Sequence, residues 1–215
     1  KVHLSHDTFC TALTYDTENK PAGIYIVKRE LFDSLNPEKP IDMTEDIIPE
    51  AVKSGEAVLL DGKGYYKRIT TPEAFLDCQR HMLYNENMSL KLTENNFSGA
   101  AIGEPVYIGE NVSVMSGSVI ESGSVIDNNA VVKGGKVNGY VGIGSVVSER
   151  CDINSAVVCR GAVLDSGVKC GEYSVIGEKA HIASEAVIEK GVGIWSGKTV
   201  EKGARLYENV KRSSD

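Results

Sequence analysis

The chain has 215 residues, 41% of them hydrophobic and 25% charged, which is enough for one large domain or two small ones with real cores. A net charge of -7 opposes a nucleic-acid partner, because phosphate contacts need clustered Lys and Arg. The longest apolar runs, such as Ala22 to Val27, are far too short for a membrane span, so no membrane partner is expected either.

In chain order, the first half alternates strand and helix signals. Gly23 to Lys28 reads as a buried strand, and Val58 to Leu60 and Tyr65 to Ile69 as two more. Thr44 is placed to cap a helix that runs through Ala51 and Val52 and stops at Gly55. Thr71-Pro72-Glu73 starts a second helix whose apolar face uses Phe75, Leu76, Cys78, Met82 and Leu83. The polar stretch Asn85 to Asn96 reads as a connection, with a short strand at Ser89 to Leu92. Composition shifts across it: residues 1–97 hold five of the six prolines and four glycines, whereas residues 98–215 hold one proline and eighteen glycines. Two domains, 1–97 and 98–215, follow from that shift.

The second domain carries a strict repeat of six. Apolar anchors stand at Ile102, Ile108, Val114, Ile120, Ile126 and Val132, and again at Val158, Leu164, Cys170, Ile176, Ile182, Ile188, Ile194, Val200 and Leu206. A second, mostly small column stands two residues earlier, as at Ala130, Ala156, Ala162, Val168 and Ala186. Neither a helix, with a period of 3.6, nor a hairpin sheet accounts for a strict six. A triangular parallel coil does: each unit makes one short face and a corner, three units close a turn, and both columns point inward. The 26 residues from Val132 to Val158 read as four units plus two extra residues, with bulges near Gly134-Gly135 and between Ile143 and Ile153. This grammar resembles the hexapeptide-repeat family, which implies a left-handed parallel β-helix, here of about six coils.

The first half has a resemblance of its own. The strand at Ala22-Gly23-Ile24-Tyr25, the string Asp42 to Glu50 and the string Gly64 to Glu73 are similar to the C-terminal part of the sugar-1-phosphate nucleotidyltransferase family, in particular its mannose-1-phosphate guanylyltransferase-like members. The resemblance implies residues 1–97 as a Rossmann-like α/β fragment of a catalytic domain. It implies a parent enzyme that joins a sugar phosphate to an NTP with release of pyrophosphate and needs Mg²⁺, and a β-helix that serves oligomerisation or regulation. Gly23 carries over as a sugar-contacting position. The family's G-x-G-T-R loop is absent, and Arg68 stands where its pattern has a metal-binding Asp, so this chain alone is expected to be inactive as a nucleotidyltransferase. The chain begins with Lys1 instead of Met, from which a longer parent is expected.

Other candidates are sparse. His181 is the one histidine of the repeat half, and beside inward Ile182 it faces out. Hexapeptide acyltransferases use such a histidine as general base, which makes an acyltransferase acting on a sugar or an amine the alternative function. The coils around it run without insertion from Val158 to Leu206, which favours a third reading, a catalytically decayed scaffold that assembles into homo-oligomers. Ser196-Gly197-Lys198-Thr199 echoes the end of a phosphate loop but is also a repeat unit. Asp42, Glu45, Asp46 and Glu50 read as an acidic helix start, and no metal site is assigned. The five cysteines form no C-x-x-C pair, and sequons at Asn87, Asn96 and Asn111 stand without other secretory signals, so a cytoplasmic location is expected.

Overall fold

The computed structural model describes residues 8–15, 21–33, 40–85, 97 and 99–210. It falls into two compact units, Lys1–Arg68 and Ile69–Asp215, so the division comes well before the composition shift at residue 97. The reason is the helix begun by Thr71, which packs against the repeats.

The first unit is a three-stranded sheet in the order β2-β1-β3, built from β1 (Cys10–Thr14), β2 (Pro21–Val27) and β3 (Ala57–Asp61). β1 is antiparallel to β2 and parallel to β3. One parallel pair with an antiparallel edge does not show the Rossmann-like fragment expected from the sequence. Cys10, Ala12 and Ile48 form a small core against Tyr25, Val27, Met43, Ala57 and Leu59. A four-residue helix, α1 (Glu30–Asp33), follows β2. A π-turn at Met43–Ile47 then leads into α2 (Ile48–Lys53).

Three local readings change here. The cap is Asp42, not Thr44: its carboxylate accepts the Thr44 and Glu45 N–H groups at 2.7 and 3.0 Å, which satisfies donors that the first turn leaves free. Tyr65 to Ile69 is not a strand; Tyr66 instead stacks on Tyr15 and donates its hydroxyl to the Ala22 carbonyl. β1 carried no turn signal strong enough to announce it. The strand expected at Ser89 to Leu92 lies outside the described residues.

The second unit opens with α3 (Pro72–Tyr84), capped as expected by the Thr71 side chain, which accepts the Ala74 N–H at 3.1 Å. A parallel β-solenoid of about six turns follows, consistent with a left-handed β-helix. Its rungs are two-residue strands, and in-register pairs such as Ile102 with Ile120 and Ile176 with Ile194 lie eighteen residues apart. Anchors Ile108, Ile126, Ile176 and Ile188 are fully buried, as are Ala130, Ala156, Ala162 and Ala186 of the small column. That column also admits serine. Ser118, Ser124 and Ser145 are buried yet satisfied, because each hydroxyl reaches a carbonyl of the next coil, at Val132, Val137 and Cys159.

The break in the repeat is a contraction, not an insertion. Val132, Val137, Val141, Val147, Ile153 and Val158 are all inward and buried, so the interval holds five rungs spaced five, four, six, six and five residues. The residues removed come mostly from one corner, where Lys136–Val141 and Asp152–Val158 run on as unbroken strands. Gly139 sits at this pinch with φ +144°, and a Cβ there would lie 2.2 Å from the Ala156 carbonyl oxygen.

α3 docks on that corner. Gln79 donates to the carbonyls of Gly123 and Gly139 at 2.7 and 3.1 Å, and Arg80 donates to Asn138 at 3.3 Å and Ser155 at 3.0 Å. Phe75 meets the Tyr140 ring edge to face, with centroids 5.4 Å apart.

Two outcomes follow from this packing. Ile176→Ala lowers stability to urea by about 2–5 kcal/mol, whereas Thr199→Ala on the outer surface stays within about 0.5 kcal/mol. Burial and the hydrogen bond to Asp127 push the Tyr140 phenol from 10.0 up to about 12. Its contribution is therefore whole below the unfolded value and is lost as pH climbs through about 12. Urea melts over that alkaline range will show a shallower decline for Tyr140→Phe than for the parent chain.

Candidate functional site

Counted from Ala101–Ile102 (first face) and Tyr107–Ile108 (second face), the third face of the solenoid begins at Ser113–Val114, and on it outward Val163, His181 and Thr199 stack in successive coils. Each precedes an inward anchor, Leu164, Ile182 or Val200, so strand alternation alone turns the three side chains out. Asp165 stands on the far side of Leu164, and its N–H donates to the Ile182 carbonyl at 2.9 Å, which fixes it beside the coil above. Its Oδ2 lies 2.9 Å from His181 Nε2. The pair is half-exposed, with 46% and 37% of the two side chains open.

With Nε2 bonded to the carboxylate, the neutral imidazole keeps its lone pair on Nδ1. Chemically this is a base held in orientation by an acid, accessible from solvent and mounted on a rigid ladder. Cys151 supports the far side, its thiol reaching the Asp165 carbonyl at 3.1 Å.

Asp165 was missed in the sequence, although a signal for it existed. Coils of eighteen place Val163 beneath His181, and two residues further along the same strand direction lies Asp165, again facing out. The other sequence candidates do not join this pair. Gly23 lies in β2 of the first unit, with φ +76°. The carboxylates of Asp42 and Asp46 are taken up by backbone N–H groups of the helix start, Asp46 accepting from Asp42 at 2.8 Å. Among the described residues no group of three or more His, Cys, Asp or Glu side chains is arranged to hold a metal ion. Arg68 is exposed, and Ser196–Thr199 is a corner and rung of the solenoid. All five cysteines are free, and burial pushes the Cys170 thiol far up. No helix among the described residues is long and apolar enough to cross a membrane.

No protein-family model matches the chain, and no curated protein matches it. Among solved structures, it is similar to a histidine-to-alanine variant of GDP-perosamine N-acetyltransferase from Caulobacter crescentus in complex with CoA and GDP-perosamine, at 20% identity over 77% of this chain and 69% of that one, TM-score 0.37. It is also similar to the acetyltransferase domain of PglB from Neisseria gonorrhoeae, at 19% identity over 72% and 84%, TM-score 0.29. A third is UDP-N-acetylglucosamine acyltransferase from Campylobacter jejuni, at 16% identity over 52% and 71%, TM-score 0.25.

The nucleotidyltransferase expectation finds no support and is corrected on the fold itself. Two of the strings that carried it, Asp42 to Glu50 and Gly64 to Glu73, serve here as a helix cap and start, an extended stretch outside any strand and a second helix start. Such local signals recur in many α/β chains and do not specify a catalytic domain.

Buried thiols are inert as nucleophiles. Ellman's reagent will therefore leave Cys170 and Cys151 unmodified in the native chain and label them once urea has unfolded it, read by mass spectrometry of the labelled peptides.

Proposed function

We propose that the chain is a hexapeptide-repeat acyltransferase in which His181 is the general base and Asp165 its positioning residue. The observation that carries this reading is the 2.9 Å bond between His181 Nε2 and Asp165 Oδ2 on an exposed solenoid face. The solenoid hand is taken as left, in keeping with the hexapeptide class, and the location as cytoplasmic, in keeping with five free thiols.

The chemistry is the transfer of an acyl group from a thioester such as acetyl-CoA to an amine or hydroxyl of a sugar. Nδ1 of His181 takes the proton as the acceptor nitrogen or oxygen attacks the thioester carbonyl; the carbon–sulfur bond breaks, and the proton passes to the departing thiolate. Asp165 stabilises the imidazolium that forms in between. No loop leaves the coils flanking His181, so a second copy of the chain supplies the opposite wall of the donor cleft; the homo-oligomer expected from the sequence is part of this proposal.

The test is thiol release from acetyl-CoA with a panel of amino and hydroxy sugars. His181→Ala is expected to lower kcat by about 100- to 10,000-fold. Asp165→Asn is expected to lower kcat with KM unchanged, and Asp165→Glu to restore part of the loss. Turnover equal in His181→Ala and the parent chain, or no thiol release with any acceptor, contradicts the reading.

A further inference from the structure

The groove between α3 and the second solenoid face has no part in the acyl-transfer proposal. Tyr107, Val125 and Tyr140 form its floor, and Phe75, Met82 and Leu83 its helical wall, around a volume of about 370 Å³. That volume is in the range of small-molecule sites. No charged side chain among the described residues lines it, so an ion placed there would lose hydration without compensation from them.

The amide side chain of Gln79 also lines it, and only 9% of that residue is exposed. Both directions of its amide can be assigned. Nε2 spends its hydrogens on the Gly123 and Gly139 carbonyls, so a flipped amide would set its oxygen against two others. Oε1 is thereby left as an acceptor, buried and without a partner. A buried acceptor with no donor is costly and calls for an explanation. Met82, 38% exposed and unbranched, lines the same groove and can change rotamer to admit a ligand.

We infer that this groove is a binding site for an uncharged, flat apolar molecule bearing a single hydroxyl or N–H donor, of the phenol or indole class. The donor satisfies Gln79 Oε1, and the ring system packs among Phe75, Tyr107 and Tyr140, where edge-to-face contacts are already the local geometry. The site is separate from the His181 face, since its floor is the second face of the solenoid and His181 stands on the third.

The probe is 2-naphthol, with 2-methoxynaphthalene as the same ring system lacking the donor, titrated into the full chain by calorimetry. The expected result is saturable binding of one 2-naphthol per chain, about tenfold or more tighter than the methyl ether, as one hydrogen bond permits. Val125→Trp, which fills the floor, abolishes binding, and Gln79→Met brings 2-naphthol down to the level of the ether. Acyl transfer in Val125→Trp is unchanged, which separates failure of this site from failure of the acyltransferase reading. No saturable binding of 2-naphthol, equal binding of both probes, or binding that persists in a folded Val125→Trp chain overturns the inference. The Val125→Trp result decides even where Gln79→Met loosens α3.

Discussion

Everything in the solenoid depends on one packing constraint: in each rung an apolar side chain must point to the axis and pack against the equivalent side chains of neighbouring coils. A two-residue strand has almost no stability of its own, so each rung holds only because its anchor is removed from water and its backbone pairs on both sides. The same constraint sets the candidate site. Once the anchor is fixed inward, the residue before it is fixed outward, and a surface position inherits the rigidity of the core beneath it. His181 is oriented by the burial of Ile182, and Asp165 by the burial of Leu164.

The contraction between Val132 and Val158 shows how far the constraint can bend. The inward residues are all kept, while the corners between them shrink until two rungs merge into one continuous strand. Polar groups that a corner would have turned to solvent are met by α3 instead, with Gln79 and Arg80 bonded along the flattened edge. The helix and the shortened corner are two halves of one device. That is why the helix belongs with the repeats in space, although its composition places it with the residues before them.

Legibility tracked the same physics. The solenoid was readable because Ile108, Ile126 and Ile176 obey a period that nothing else in proteins imposes, and burial leaves them little choice of residue. The start of α3 was readable because Thr71 and Pro72 act through their own local chemistry. The contraction was misjudged as extra residues, since Val137 and Val141 fall off the count of six and only the neighbouring coils reveal them as anchors. The first unit was the least legible. Its core is small, its strands carry little alternation, and the strings that resembled a catalytic domain prove to be helix starts and an extended segment. Of the candidate site, His181 was visible as an outward residue beside an anchor, whereas Asp165 required reading the sequence eighteen residues at a time.

Unlike the apolar groove, the His181–Asp165 pair is half-exposed, and under the proposed function it moves a proton. A core repeated every eighteen residues sets Asp165 and His181 side by side on an exposed surface. A crystal structure of the full chain with a non-hydrolysable acetyl-thioester analogue tests this most directly. The account predicts the carbonyl carbon of the analogue beside Nδ1 of His181, with the Nε2 bond to Asp165 intact. Density for the analogue on another face, with Nδ1 open to solvent, would contradict it.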